Sequence, residues 1–100
     1  NNTKHVLLGD MLELGDASLK QHKRLGSKCS DAKVDAVFTI GKETMSTQSV
    51  INGVPINLHY HNPNDLISSL KSQLKDNDKV LFKGSRGMKM EKIISGVFEA

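Results

Sequence analysis

Five consecutive residues, Lys83-Gly84-Ser85-Arg86-Gly87, bring together two cations, a hydroxyl and two glycines. That combination suits an oxyanion. Glycines let the backbone take positive φ and approach a ligand closely, and the N–H groups at the start of a following helix attract negative charge. Lys83 would add a point charge and Arg86 a planar, two-pronged donor. A carboxylate and a phosphate fit equally well, and a plain turn with solvated cations would look the same. A second basic turn is Gly41-Lys42-Glu43-Thr44. By contrast, residues 9–16, Gly-Asp-Met-Leu-Glu-Leu-Gly-Asp, hold three acids and no base. Asp10 and Glu13 could bind ribose hydroxyls, orient a basic group or meet a cation through water, or simply be solvated turn residues. His22 lies in a helical stretch in which Leu19, Leu25 and Cys29 are expected to point inward, so it either reaches the same region or packs at its edge. His59 and His61 share one strand face without a third ligand nearby, and no metal site is expected there.

Several other chemistries lack their residues. Gly41-Lys42 has no glycine five positions before Gly41 and no Ser or Thr after Lys42, so the chain carries no P-loop. G-x-S-x-G, H-E-x-x-H and C-x-x-C are all missing, which removes support for a serine hydrolase, a zincin and a dithiol oxidoreductase. Cys29 is the sole cysteine, so no internal disulfide or four-cysteine zinc site can form. Fourteen basic against eleven acidic residues, with four aromatics and no Trp, is not the composition of a nucleic-acid coat or a base-stacking platform. No apolar run approaches the ~20 residues of a membrane span, and the N-terminus lacks a signal-peptide core, so a cytoplasmic protein without membrane contact is expected.

The elements that must position these residues alternate in period. Short aliphatic runs at 5–8, 34–40, 56–60 and 79–82 read as strands, the first and last continuously apolar as parallel strands covered on both faces would be. Between and after them come stretches with apolar spacing of three to four. One is capped by Asp16 or Ser18, a weaker one spans 43–50, and one is capped by Asn62 or Asn64 and carries Leu66, Ile67, Leu70 and Leu74. The last spans about 88–98, with Met90, Ile93, Ile94, Val97 and Phe98 as its apolar stripe. The pattern predicts one α/β domain, a three-layer sandwich around a mostly parallel sheet of about four strands. In such sheets ligands bind outside the carboxyl ends of the strands, where the three turns named above fall together with His61-Asn62-Pro63-Asn64 after the third strand. On residues alone, a small α/β module binding an anionic metabolite or nucleotide fits. A phospho-acceptor receiver domain does not, because the middle strand ends in Ile40-Gly41 where an aspartate is required.

The blocks Val6-Leu7-Leu8-Gly9-Asp10-Met11-Leu12-Glu13-Leu14-Gly15, His22, Val37-Phe38-Thr39-Ile40-Gly41, and residues 80–91 from Val80 through Lys83-Gly84-Ser85-Arg86-Gly87 to Glu91 closely resemble the C-terminal domain of a Mur ligase. The resemblance implies a Rossmann-like domain of a three-domain enzyme that works in the cytoplasm of bacteria, in peptidoglycan synthesis. The G-D-M-x-E-L-G and K-G-S-R-G blocks point to the branch whose substrates are D-alanyl-D-alanine and UDP-N-acetylmuramoyl-tripeptide. There ATP, with Mg2+, activates the peptide carboxylate as an acyl phosphate that the incoming amine attacks. The ATPase and UDP-sugar domains would lie outside this chain, which alone would be inactive and hold neither cofactor. By the same resemblance Lys83, Gly84, Ser85, Arg86 and Lys42 would bind the amino substrate, and Asp10 and His22 would face the nucleotide or the interdomain cleft. Thr39, Gly41 and Lys42 match a turn that contacts the amino substrate in the diaminopimelate-adding relative, whose Asn-Pro-Arg signature is absent here. The family's domain usually begins with a further strand pair and a D-A-Y-N-A-N-P segment, neither of which stands ahead of Asn1. The chain is therefore expected to be an N-terminally shortened domain with a bare first sheet edge, and with marginal stability or self-association through that edge as the consequence.

Overall fold

A computed structural model describes residues 3–11, 14–84 and 90–98 of the chain. Strands β1 (Lys4–Gly9), β2 (Ala36–Ile40), β3 (Ile56–Tyr60) and β4 (Lys79–Lys83) alternate with helices α1 (Ser18–Asp31), α2 (Thr44–Ser49), α3 (Pro63–Gln73) and α4 (Met90–Phe98). All strand pairs are parallel and the sheet order is β3-β2-β1-β4. The expected α/β sandwich is what forms.

The period-two alternation of β-strands sorts the core into two layers. Leu7, Ala36, Phe38 and Ile40 face one side and pack against Leu66 and Leu70 of α3 and Met90, Ile93 and Val97 of α4. Val6, Leu8 and Val37 face the other, against Cys29 of α1 and Ile51, with Leu25, Val34 and Val54 at the margin. β1 and β2 are therefore apolar on both faces. Burial pushes the Cys29 thiol up, which keeps it a protonated core group.

Several expectations need correction. Neither Asp16 nor Ser18 caps α1: Asp16 sits in a 3-10 turn (Gly15–Ala17), and the N-cap position is Ala17, with no side-chain bond. Leu19 does not point inward and is 58% exposed. His22, one turn further along α1, is already level with Met11, beyond the end of β1, so Leu19 has no sheet beneath it. In α4 only Met90, Ile93 and Val97 are buried, leaving Ile94 and Phe98 outside the stripe. Finally, the first strand lies inside the sheet, and the edges are β3 and β4. β4 is apolar in sequence yet covered on one face only. α1 and α2 serve the other three strands on their side, leaving Leu81 63% exposed. Of the two candidates Asn62 and Asn64, Asn62 caps α3, its Oδ1 accepting the Asn64 N–H at 2.8 Å with Pro63 at the first helical position.

At the amino ends of the strands a buried pair ties β4 to β1. Asp78 accepts from the Thr3 N–H (3.1 Å) and the Lys75 N–H (3.0 Å), and its Oδ2 lies 3.0 Å from Nε2 of His5. The hydrogen bond from His5, then those from the backbone, hold the Asp78 carboxyl below its usual range. A carboxylate with a lowered folded pKa contributes stability that is complete above its unfolded pKa of about 3.9 and is lost as pH falls through the folded value. The stability difference between the parent chain and Asp78→Ala, measured by urea unfolding, should thus be largest at neutral pH and shrink below pH 4. A difference unchanged between pH 7 and pH 3 would contradict this assignment.

Candidate functional site

The chain steps from β1 to β2 to β3 in one direction and returns through α3 to place β4 on the other side of β1. That reversal opens a crevice at the carboxyl ends of β1 and β4, where open α/β sheets bind their ligands. The turn after β1 is the hub of this rim, with the turn after β2 on one side and the segment after β4 on the other. Lys42, two residues past β2, and Lys83, the last residue of β4, therefore flank it, at the ends of strands about 10 Å apart given the ~4.8 Å spacing of neighbours. Both side chains are exposed. Gly84 sits so close to β1 that a Cβ there would stand 3.1 Å from the Gly9 Cα and 3.2 Å from the Met90 sulfur. Close backbone approach, expected from the glycine, is thus present between the two strands themselves. Ser85, Arg86 and Gly87, like Glu13 in the β1 turn, lie outside the described residues.

Asp10 is neither a solvated turn residue nor an open ligand. It is 5% exposed, and its carboxylate oxygens accept the Glu43 N–H at 2.9 Å and the Thr44 N–H at 2.8 Å. It caps the first turn of α2 from a loop 33 residues away, satisfying donors that the short helix would leave orphaned. Gly41 makes room for it, with φ at 118° and its missing Cβ position filled by the carboxylate. His22 is fully buried and completes the arrangement. Its Nδ1 lies 2.8 Å from the Ser18 carbonyl, which can only accept, and its Nε2 accepts the Met11 N–H at 3.1 Å. The ring is thereby fixed with its proton on Nδ1, and it pins the residue after Asp10 to α1. The Ser18 hydroxyl donates to Glu43 Oε1 at 3.0 Å, a further link between the start of α1 and the β2 turn. Asp10 and His22 are brought together, but as the staple that fixes two rim turns. Sequence spacing carries no sign of the Asp10 bonds, since their donors are backbone groups far along the chain.

On the β3 side, His59 Nδ1 is 2.7 Å from the Thr39 hydroxyl, and the His59 and His61 rings meet edge-on at 4.9 Å. Burial, then the neighbouring His61, lower the His59 pKa; Asp10 and the nearby Gly41 carbonyl oppose this weakly, the latter outside hydrogen-bond geometry. Among the described residues no three His, Cys, Asp or Glu side chains gather into a metal-binding group, and no helix is long and apolar enough to cross a membrane.

A parallel sheet in the order β3-β2-β1-β4 between two helical layers defines a Rossmann-like α/β domain. The chain belongs to the Mur ligase family, whose "Mur ligase, glutamate ligase domain" matches residues 2–86. The UDP-N-acetylmuramoyl-tripeptide--D-alanyl-D-alanine ligase of Bacillus subtilis is 38% identical over 100 residues, covering 97% of this chain and 22% of that protein. The ligase of the same name from Haemophilus influenzae is 35% identical over 91 residues, covering 89% and 20%. A crystal structure of MurF ligase from Thermotoga maritima in complex with ADP superimposes with a TM-score of 0.79 at 27% identity, over 97% of this chain and 22% of that one. An Acinetobacter baumannii MurF structure gives 0.84 at 23% identity over the whole chain and 22% of its own, a likeness of fold. The chain thus spans about a fifth of the length of these relatives.

Proposed function

We propose that the chain is the C-terminal domain of a bacterial, cytoplasmic, ATP-dependent ligase that joins D-alanyl-D-alanine to UDP-N-acetylmuramoyl-tripeptide. In that reaction the γ-phosphoryl of ATP passes to the tripeptide carboxylate. The dipeptide amine then attacks the acyl carbon, and inorganic phosphate leaves. The observation that carries the reading is the placement of Lys83 and Gly84 at the β1/β4 crevice, at the head of the K-G-S-R-G block. The donor types of that block, ammonium, guanidinium, hydroxyl and backbone N–H groups, suit the fixed carboxylate of D-alanyl-D-alanine and not a divalent cation. Lys83, Gly84, Ser85 and Arg86 hold that carboxylate and Lys42 approaches from the β2 side. ATP and Mg2+ act in the intact enzyme through domains outside this chain. Asp10 and His22 position the turn that lines the cleft.

In the intact ligase, Arg86→Ala should raise the KM for D-alanyl-D-alanine by about tenfold or more, the loss of a charge-assisted pair, while leaving the KM for ATP within twofold. Equal loss for both substrates would refute the assignment. The 100-residue chain alone should show neither ATPase nor ligation turnover.

A further inference from the structure

On the α1 side of the crevice, Arg24 and Lys28 of α1 and Lys83 of β4 line one small pocket of about 70 Å³ with Met11, Gln21 and Leu25. Among the described residues no carboxylate lines it, and none of the three cations is in an ion pair. Like charges four residues apart on a helix repel, and Lys83 brings a third cation to them from another element. The negative end of the α1 dipole accounts for Lys28, which lies in the last turn, but not for Arg24 a full turn earlier. The floor supplied by Met11 and Leu25 is apolar, which strengthens a charge–charge contact made above it. Gln21 adds a neutral donor.

We infer that Arg24, Lys28 and Lys83 form an oxyanion subsite, a second anion contact on the α1 flank of the crevice at the carboxyl end of β4. The pocket admits one carboxylate or phosphoryl group and is far below the ~300 Å³ or more that a whole nucleotide-sized ligand fills, so it grips one end of a ligand lying in the crevice. The shared chemistry is that of an oxyanion, and two sources carry it: the carboxylate of D-alanyl-D-alanine and a phosphoryl group of a nucleotide. Only the identity of these sources rests on the proposed function. The subsite itself rests on the pocket.

The test is an amide-resolved NMR titration of the isotopically labelled chain with inorganic phosphate, followed by separate titrations with D-alanyl-D-alanine and with ADP. Saturable shifts centred on Gln21, Arg24, Leu25, Lys28 and Lys83 are expected with phosphate. The double variant Arg24→Gln/Lys28→Gln should weaken that binding by roughly tenfold or more, whereas Lys71→Gln/Lys75→Gln, at the end of α3 and just beyond it, removes an equal charge elsewhere and should leave it unchanged. Saturation at the same residues by the dipeptide assigns the carboxylate, and by ADP the phosphoryl group; either upholds the subsite. Shifts spread over all lysines without saturation, an adventitious ion only, would overturn it, as would a double variant that binds phosphate like the parent. Because phosphate binding is read directly, this outcome is independent of whether Arg86→Ala discriminates between substrates in the ligase.

Discussion

Gly41→Ala should destabilise the chain by about 2–6 kcal/mol, from backbone strain of about 1–3 kcal/mol together with about 1–3 kcal/mol for orphaned buried hydrogen-bonding groups. The backbone at Gly41 has φ at 118°, a conformation that side-chain-bearing residues rarely adopt. A methyl group there would stand 2.4 Å from the Asp10 carboxyl carbon and from one of its oxygens, and 2.6 Å from the other. The carboxylate cannot yield cheaply, because both oxygens are engaged with the Glu43 and Thr44 N–H groups. Gly53 is the control. It too has positive φ, 74°, but nothing lies within 4 Å of its would-be Cβ, so Gly53→Ala should cost only about 1 kcal/mol of conformational strain. Urea unfolding of the two variants separates the steric from the conformational contribution. A gap below 1 kcal/mol between them would mean that Asp10 does not staple the two turns.

What the sequence makes legible here is local period, and what it hides is long-range satisfaction. The apolar runs of β1, β2 and β3 and the spacing of Leu66 and Leu70 lead to elements within a residue or two of those observed, because burial on one or two faces writes itself into neighbouring residues. Val34 is the widest miss at a boundary. It packs at the margin of the α1-side core, but the turn at Lys33, with φ at 55°, delays the strand to Ala36. β4 shows the limit from the other side. Val80-Leu81-Phe82 has the composition of a strand covered twice, and only the sheet order reveals that no described helix lies over Leu81. The site divides in the same way. The anion-attracting character of the rim follows from residue types alone, whereas the role of Asp10 depends on two N–H donors more than thirty residues distant. His22 gives no signal in its spacing beyond its helical position; its partner is a backbone N–H, which every residue except proline carries.

Gly26→Ala extends this logic from the turns to the helices that bear them. In an exposed helix interior the substitution would stabilise by about 1 kcal/mol, since alanine is the better helix former. At Gly26 the added methyl would lie 2.4 Å from the Thr47 carbonyl oxygen and 2.6 Å from a Val50 methyl. Val50 can rotate, but the oxygen belongs to the backbone of α2 and cannot, so α1 and α2 must move apart. Each helix is anchored to the β1 turn, α1 through His22 to Met11 and α2 through its Glu43 and Thr44 N–H groups to Asp10. Separation therefore strains both anchors, and overpacking of a close helix crossing ordinarily costs about 1–3 kcal/mol before any such bond is lost. A net loss of about 3 kcal/mol is expected, which for a domain of this size lowers Tm by roughly 10–20 °C. The amide resonances of Met11, Glu43 and Thr44 should shift with it, because the strain reaches the rim through those three bonds. A Tm equal to or above that of the parent chain, as helix propensity alone dictates, would show that α1 and α2 are not held at this distance. The stapled rim would then have no rigid base beneath it.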